Sequence, residues 1–162
     1  MRAPSPSLRG PRLSAADRSG MEAALAAARR GGKVGEVPVG AAVLVDGRLV
    51  SEAHNETIAR RDLTQHAELI AIQRAMQVLA SDRLETATLY VTLEPCAQCA
   101  GAMVLARVGR VIFGAYDPKA GMAGSVGDLL RHPRLNHRPE VRGGALAEEC
   151  GAVLTEFFES RR

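Results

Sequence analysis

With 46% apolar and 24% charged residues in a length of 162, the chain has the balance of one globular domain, which excludes wholesale disorder. Three cysteines are too few for a disulfide scaffold, and no apolar run reaches the length of a membrane span. A net charge of +3 permits a nucleic-acid partner without demanding one, while two Tyr, three Phe and no Trp argue against an extended stacking platform for single strands.

Residues 1–14 carry three Pro, three Arg and no acid, and are expected to form a flexible arm ahead of a domain over 15–162. The stretch lacks the apolar core of a secretory signal and the amphipathic face of a transit peptide. Ser14 stands three residues before Asp17, a spacing that can cap a helix through MEAALAAARR, ended by Gly31 and Gly32. The apolar runs Val39–Val45 and Leu49–Ala53 flank Asp46-Gly47, a two-residue hairpin turn. A polar loop follows from Asn55 to Gln65. Leu69, Ile70, Ile72, Met76 and Leu79 recur at helical spacing from about His66. Thr88–Leu93 reads as a buried strand, and Pro95 opens a short helix over Cys96–Ala106. Arg110–Ala115 is another strand, and Asp117–Gly127 a Gly-rich loop. Val126–Leu130 is expected to form one helical turn and Glu140–Arg142 an edge strand. A last helix runs from about Leu146 to Ser160. This order predicts an α/β domain: a central sheet with one antiparallel hairpin, parallel β-α-β steps after it, and helices on both faces.

Charge is uneven. Residues 1–61 hold ten basic and six acidic groups, 62–106 two and five, and 107–162 nine and seven. Within the last third, Arg131, Arg134, Arg138 and Arg142 gather with His132 and His137 against Glu140 alone. Such a run is either a solvated loop or a phosphate-binding face.

The residues with chemical potential are His66 and Glu68, then Cys96 and Cys99 behind Pro95. Each part alone says little. Together they form the H-x-E…P-C-x-x-C pattern of zinc nucleobase deaminases. Cys96 and Cys99 are three apart, so they share one helix face, at an N-terminal turn that favours thiolates. His66 and Glu68 are two apart, and on a regular helix they would diverge by about 200°. They can serve one site only if His66 precedes the regular helix. His66, Cys96 and Cys99 make three ligands, which suits a catalytic zinc with one position left open. A structural zinc needs a fourth ligand, for which Cys150 is the candidate. Cys150, however, falls on the apolar stripe Leu146, Cys150, Val153, Leu154, Phe157 and reads as a buried inert thiol. Glu68 is left as the acid/base. It carries a proton from the attacking water to the ring nitrogen before ammonia leaves.

Beyond the motif, residues 17–162 resemble the bacterial tRNA-specific adenosine deaminases of the cytidine-deaminase-like superfamily. The resemblance rests on EVPVGA (Glu36–Ala41), His54-Asn55, HAE, TLEPCAQCAGAM (Thr92–Met103), RVIFGAYDPKAG (Arg110–Gly121), Gly124-Ser125, LNHRPEV (Leu135–Val141) and the Leu146–Phe158 segment. HAE and PCxxC are shared with cytosine, guanine and pyrimidine deaminases, whereas the stretch from Asp117 to His137 is more selective for the tRNA branch. The resemblance implies a three-layer α/β/α fold with a mixed five-stranded sheet. It also implies one Zn2+ per subunit and hydrolytic conversion of adenosine to inosine at the tRNA wobble position. Asn55 would hydrogen-bond the flipped base, and Val37 would wall the pocket. Asp117, Lys119, His132 and Asn136 would lie near the anticodon-loop backbone. A cytoplasmic homodimer with no membrane partner is implied as well. The alternative is a free-nucleobase or nucleotide deaminase using the same zinc site. Two residues depart from the family pattern: Gln98 replaces a common Met inside PCxxC, and Leu63 stands where Pro is frequent.

Overall fold

The computed structural model describes residues 12–162, so most of the expected arm lies outside the described residues. Four helices and five strands follow in the order α1 (Ala15–Lys33), β1 (Gly40–Val45), β2 (Arg48–His54), α2 (Ala67–Leu79), β3 (Ala87–Leu93), α3 (Ala97–Leu105), β4 (Arg110–Ala115), β5 (Glu140–Arg142) and α4 (Ala147–Glu159). The sheet order is β2-β1-β3-β4-β5. β1 runs antiparallel to both β2 and β3, while β3, β4 and β5 are mutually parallel.

Period-two alternation divides the interior into two layers. Ala41, Val43, Leu89, Val91, Val111 and Phe113 face the layer containing α2 and α3. Ala42, Leu44, Tyr90 and Ile112 face the layer containing α1 and the start of α4. Asp46 and Gly47 both take positive φ, 49° and 75°, which matches the right-handed twist of a tight hairpin. Gly40 has a different reason for lacking a side chain. A Cβ there would collide with the Ala24 carbonyl, so α1 rests directly on the start of β1.

Polar groups fasten the α1 layer. Ser14 caps α1 by accepting from the Asp17 amide. Asp17 is buried, accepts from the Tyr90 hydroxyl at 2.7 Å, and takes two guanidinium bonds from Arg110 at 3.1 Å each. Burial works to raise its pKa. The Arg110 and Tyr90 hydrogen bonds and the Arg110 charge outweigh burial and hold the carboxyl below its ordinary value.

Two local expectations are corrected. α1 passes through Gly31 and Gly32 to Lys33; Gly31 serves packing, since a Cβ there would press on the His54 side chain. Val126–Leu130 is not a helical turn. The Val126 amide donates to Gly121 O and the Leu129 amide to Met122 O, while Ala123 and Asp128 form an isolated bridge. Those two donors are committed to carbonyls five and seven residues back, in a wrapped loop rather than a helical ladder. No helix among the described residues is long and apolar enough to cross a membrane.

Candidate active site

The site lies where β3 ends, beside the start of β1 and the end of β2. β3 pairs antiparallel with one neighbour and parallel with the other. The chain segments that leave β3 and β4 therefore meet the segment that enters β1 at one end of the sheet, with a crevice between them. A cavity of about 330 Å³ fills it, lined by Val37, Val39, Asn55, Thr57, Leu63, His66, Glu68, Leu93, Glu94, Cys96, Asp117 and Ala120.

His66 is the N-cap of α2, with φ −80° and ψ 150°. That extended backbone resolves the angular problem of His-x-Glu, because only Glu68 obeys the helical step. Cys96 caps α3 in the same manner, with φ −75° and ψ 177°, and Cys99 follows in the first turn. His66 Nδ1 stands 3.4 Å from Cys96 Sγ and 3.5 Å from Cys99 Sγ. Zinc–nitrogen and zinc–sulfur bonds of about 2.1 and 2.3 Å at a tetrahedral angle place N and S about 3.6 Å apart. The spacing therefore fits one Zn2+ held by one nitrogen and two sulfurs. This is the group of three potential ligand residues found among the described residues, with its donor atoms within 4.8 Å of one another.

Hydrogen bonds from Cys99 and His66 pull the Cys96 thiol far below its ordinary value. Hydrogen bonding to Cys96, with burial, drives the Cys99 thiol up, and hydrogen bonding to Cys96 raises His66. Glu68 is only 4% exposed, and burial pushes its pKa up to about 6. A buried carboxyl at the cavity wall, poised to hold or release a proton, suits acid/base work. Cys150 does not join the cluster. It is buried in the opposite layer, where burial pushes its thiol up to about 12.

Asn55 sits at the wall just past β2. Its Oδ1 accepts from the Ala67 amide at 2.9 Å, supplying the cap that the His66 side chain does not. The Ala67 N–H is a donor, so it fixes the amide orientation and turns Nδ2 away from it. Val37 and Asp117 also line the cavity. Lys119 is one residue before the lining Ala120; its amide donates to Asp117 Oδ1 at 3.0 Å. His132 and Asn136 are not brought to the cavity. His132 Nδ1 accepts from the Arg134 amide, and Asn136 lines a separate cleft with Leu105, Arg107, Arg134 and His137. Arg131 is paired with Asp128 at 2.8 Å and Arg138 donates to Pro133 O, so the basic run is partly engaged within its own loop.

Three contributors are not legible as site residues from the sequence. Glu36, buried, accepts from the amides of Ile58 and Ala59 at 2.7 and 3.3 Å, anchoring the 55–65 loop. Gln98 Nε2 donates to Thr64 O at 2.8 Å and ties the same loop to α3. Glu94, also buried, accepts from Asp117 N, Ala123 N and Ser125 N at 3.0 Å each and from the Ser125 hydroxyl. Burial would raise its pKa, but the Ser125 hydroxyl and the three amides hold it down. The signal available was a carboxylate directly after an apolar strand and directly before Pro95.

Known proteins show the same arrangement of sequence. The model for the cytidine and deoxycytidylate deaminase zinc-binding region matches residues 14–115. A tRNA-specific adenosine deaminase of Bacillus subtilis is 46% identical over 142 residues, covering 88% of both chains. One of Aquifex aeolicus is 44% identical, covering 88% of this chain and 93% of its own. A solved structure from a study of A-to-I editing by tRNA:A34 deaminases at the wobble position superposes with a TM-score of 0.81 at 41% identity, over 84% of this chain and 99% of that one.

Proposed function

Since the chain belongs to the cytidine and deoxycytidylate deaminase zinc-binding family, and with it to the tRNA-specific adenosine deaminases, we propose that it deaminates adenosine to inosine at the wobble position of a tRNA anticodon. The observation that carries the reading is the His66–Cys96–Cys99 triad with N···S separations of 3.4 and 3.5 Å, set beside buried Glu68 in one cavity. His66, Cys96 and Cys99 are the ligands in this proposal. A zinc ion held by these three residues would supply Lewis acidity, making water a nucleophile near neutral pH and stabilising developing negative charge.

The remaining work falls to the chain. Glu68 accepts a proton from the attacking water and delivers it to the ring nitrogen as water adds at the amidine carbon; it then carries the remaining hydroxyl proton to the amino group, which leaves as ammonia while the carbonyl forms. Its burial keeps its affinity for the proton close to what both transfers need. Asn55 Nδ2 donates to the polar edge of a base turned out of its stack. Val37, Val39 and Leu93 supply the apolar wall. Asp117 and Lys119 meet the adjoining nucleotides, with His132 and Asn136 contacting RNA farther from the base. Residues 15–162 are the deaminase domain and 1–14 an arm. A cytoplasmic homodimer completes the proposal.

Incubation of the purified protein with an anticodon stem-loop bearing a wobble adenosine, followed by inosine detection, tests it. Inosine is expected, with no comparable turnover of free guanine or cytosine. Turnover of a free base without inosine in the stem-loop refutes the tRNA reading. Glu68→Gln is expected to keep its zinc and lose about 10⁴-fold in single-turnover rate, the upper end for a positioned proton carrier.

A further inference from the structure

The loop between β4 and the separate cleft is built around one carboxylate that the metal triad and the proton relay do not use. Glu94 is 2% exposed, and all four of its donors come from residues 117–125. Oε1 takes the Asp117 amide and the Ser125 hydroxyl; Oε2 takes the amides of Ala123 and Ser125. Gly121 passes so close that a Cβ would collide with the carboxylate. The loop is closed further by Gly121 N to Asp117 O at 2.9 Å and Met122 N to Pro95 O at 2.8 Å. Its sheet-like pairing is confined to the single Ala123–Asp128 bridge. A segment with so little ladder of its own takes its shape from the acceptor it surrounds.

That shape matters because the loop forms part of the cavity wall through Asp117 and Ala120. Glu94 also stands one proline before Cys96, so the same chain segment carries a metal ligand and the loop's anchor. We propose that Glu94 is a positioning residue for the polynucleotide substrate: it holds loop 117–125 in one conformation at the cavity mouth, setting how the nucleotides beside the target base are received. The inference rests on the tRNA reading for its substrate and on the loop geometry for its mechanism. A charged, four-fold acceptor is required, because a neutral amide would present its NH2 group to amide donors on one side.

The test compares wild type with Glu94→Gln, Ser125→Ala and Ser125→Thr as full-length, zinc-loaded proteins. Four quantities are read: zinc content, amide hydrogen exchange across residues 117–126, and the KM and the kcat for the anticodon stem-loop. Glu94→Gln is expected to keep one zinc, to exchange the loop amides about tenfold faster or more, and to raise KM about tenfold, with the loss falling mainly on KM. Ser125→Ala, which removes one donor and leaves the carboxylate, is expected to shift both in the same direction by about threefold, and Ser125→Thr to restore them. A merely structural carboxylate would lower thermal stability without splitting KM from kcat. A folded Glu94→Gln with unchanged loop exchange, or with unchanged KM, overturns the proposal. If Glu94→Gln does not fold, Ser125→Ala with wild-type KM overturns it. Failure of the tRNA reading is recognised separately, as absence of inosine with the wild-type protein, and loop exchange in the variants then decides whether Glu94 orders the loop.

Discussion

Replacing Asn55 by Asp separates two jobs that one amide performs. Its Oδ1 caps α2 through the Ala67 amide at 2.9 Å, and in the proposed reading its Nδ2 is the donor offered to the base. An aspartate keeps the acceptor. Its charge lies at a helix N-terminus, where the dipole contributes about 0.3–1 kcal/mol in its favour. Thermal stability and zinc content should therefore stay close to wild type. What is lost is one hydrogen-bond donor to the reacting base in a half-buried site. Removal of a comparable donor in other enzymes costs about 10²–10³ in rate, or roughly 2.7–4 kcal/mol. The expected outcome is a fall of about 10² in kcat/KM for the anticodon stem-loop, read as inosine formed in single-turnover reactions. Asn55→Ala should lose activity to a similar extent and also about 1 kcal/mol of stability, because the cap goes as well. An Asn55→Asp protein with zinc bound and turnover within about threefold of wild type would refute the assignment of Nδ2.

Three further outcomes follow from the geometry. Cys96→Ser should lose its zinc while Cys150→Ser keeps it, since Cys150 packs in the opposite layer; metal analysis of both variants decides this. Asp17→Asn should cost about 2 kcal/mol at neutral pH by weakening the bonds from Arg110 and Tyr90. Because the folded-state pKa of Asp17 is depressed, that stabilisation is present above the unfolded value of 3.8 and is lost as pH falls through the lower folded value, so the two unfolding curves should converge in acid. Arg134→Gln should flatten the salt dependence of tRNA binding by about 0.7 in log–log slope if Arg134 meets a single-stranded phosphate, whereas Arg131→Gln should change it less, because Arg131 is already paired with Asp128. Equal slopes for wild type and Arg134→Gln would return that run to ordinary surface.

How much of the molecule was legible depended on whether neighbours in sequence were neighbours in space. Strands β4 and β5 fall on the residues expected, Arg110–Ala115 and Glu140–Arg142, because β4 is a short apolar run buried on both faces and β5 closes the sheet edge beside it. The metal triad was legible for a different reason. Two thiols three apart at a helix start fix half of the site locally, and the extended backbone of His66 at the start of α2 supplies the rest. The loop over 117–130 failed on the same criterion. Its Gly and Ser pattern marks irregular backbone, but the group that shapes it lies 23 to 31 residues earlier, in Glu94. No periodicity links a carboxylate to amides at such separations, and the short apolar run near Val126 therefore suggested a helical turn. Counting charge had a similar blind spot. The run from Arg131 to Arg142 sets four arginines against Glu140 alone along the chain, yet Asp128 neutralises one arginine and a carbonyl engages another. The same wrapping that hid the loop from the sequence gives it a definite surface without regular secondary structure. A site that must receive a base displaced from its stack needs such a surface beside its metal. Glu94, one residue from Pro95 and two from Cys96, couples the placement of that surface to the placement of the metal ligand itself.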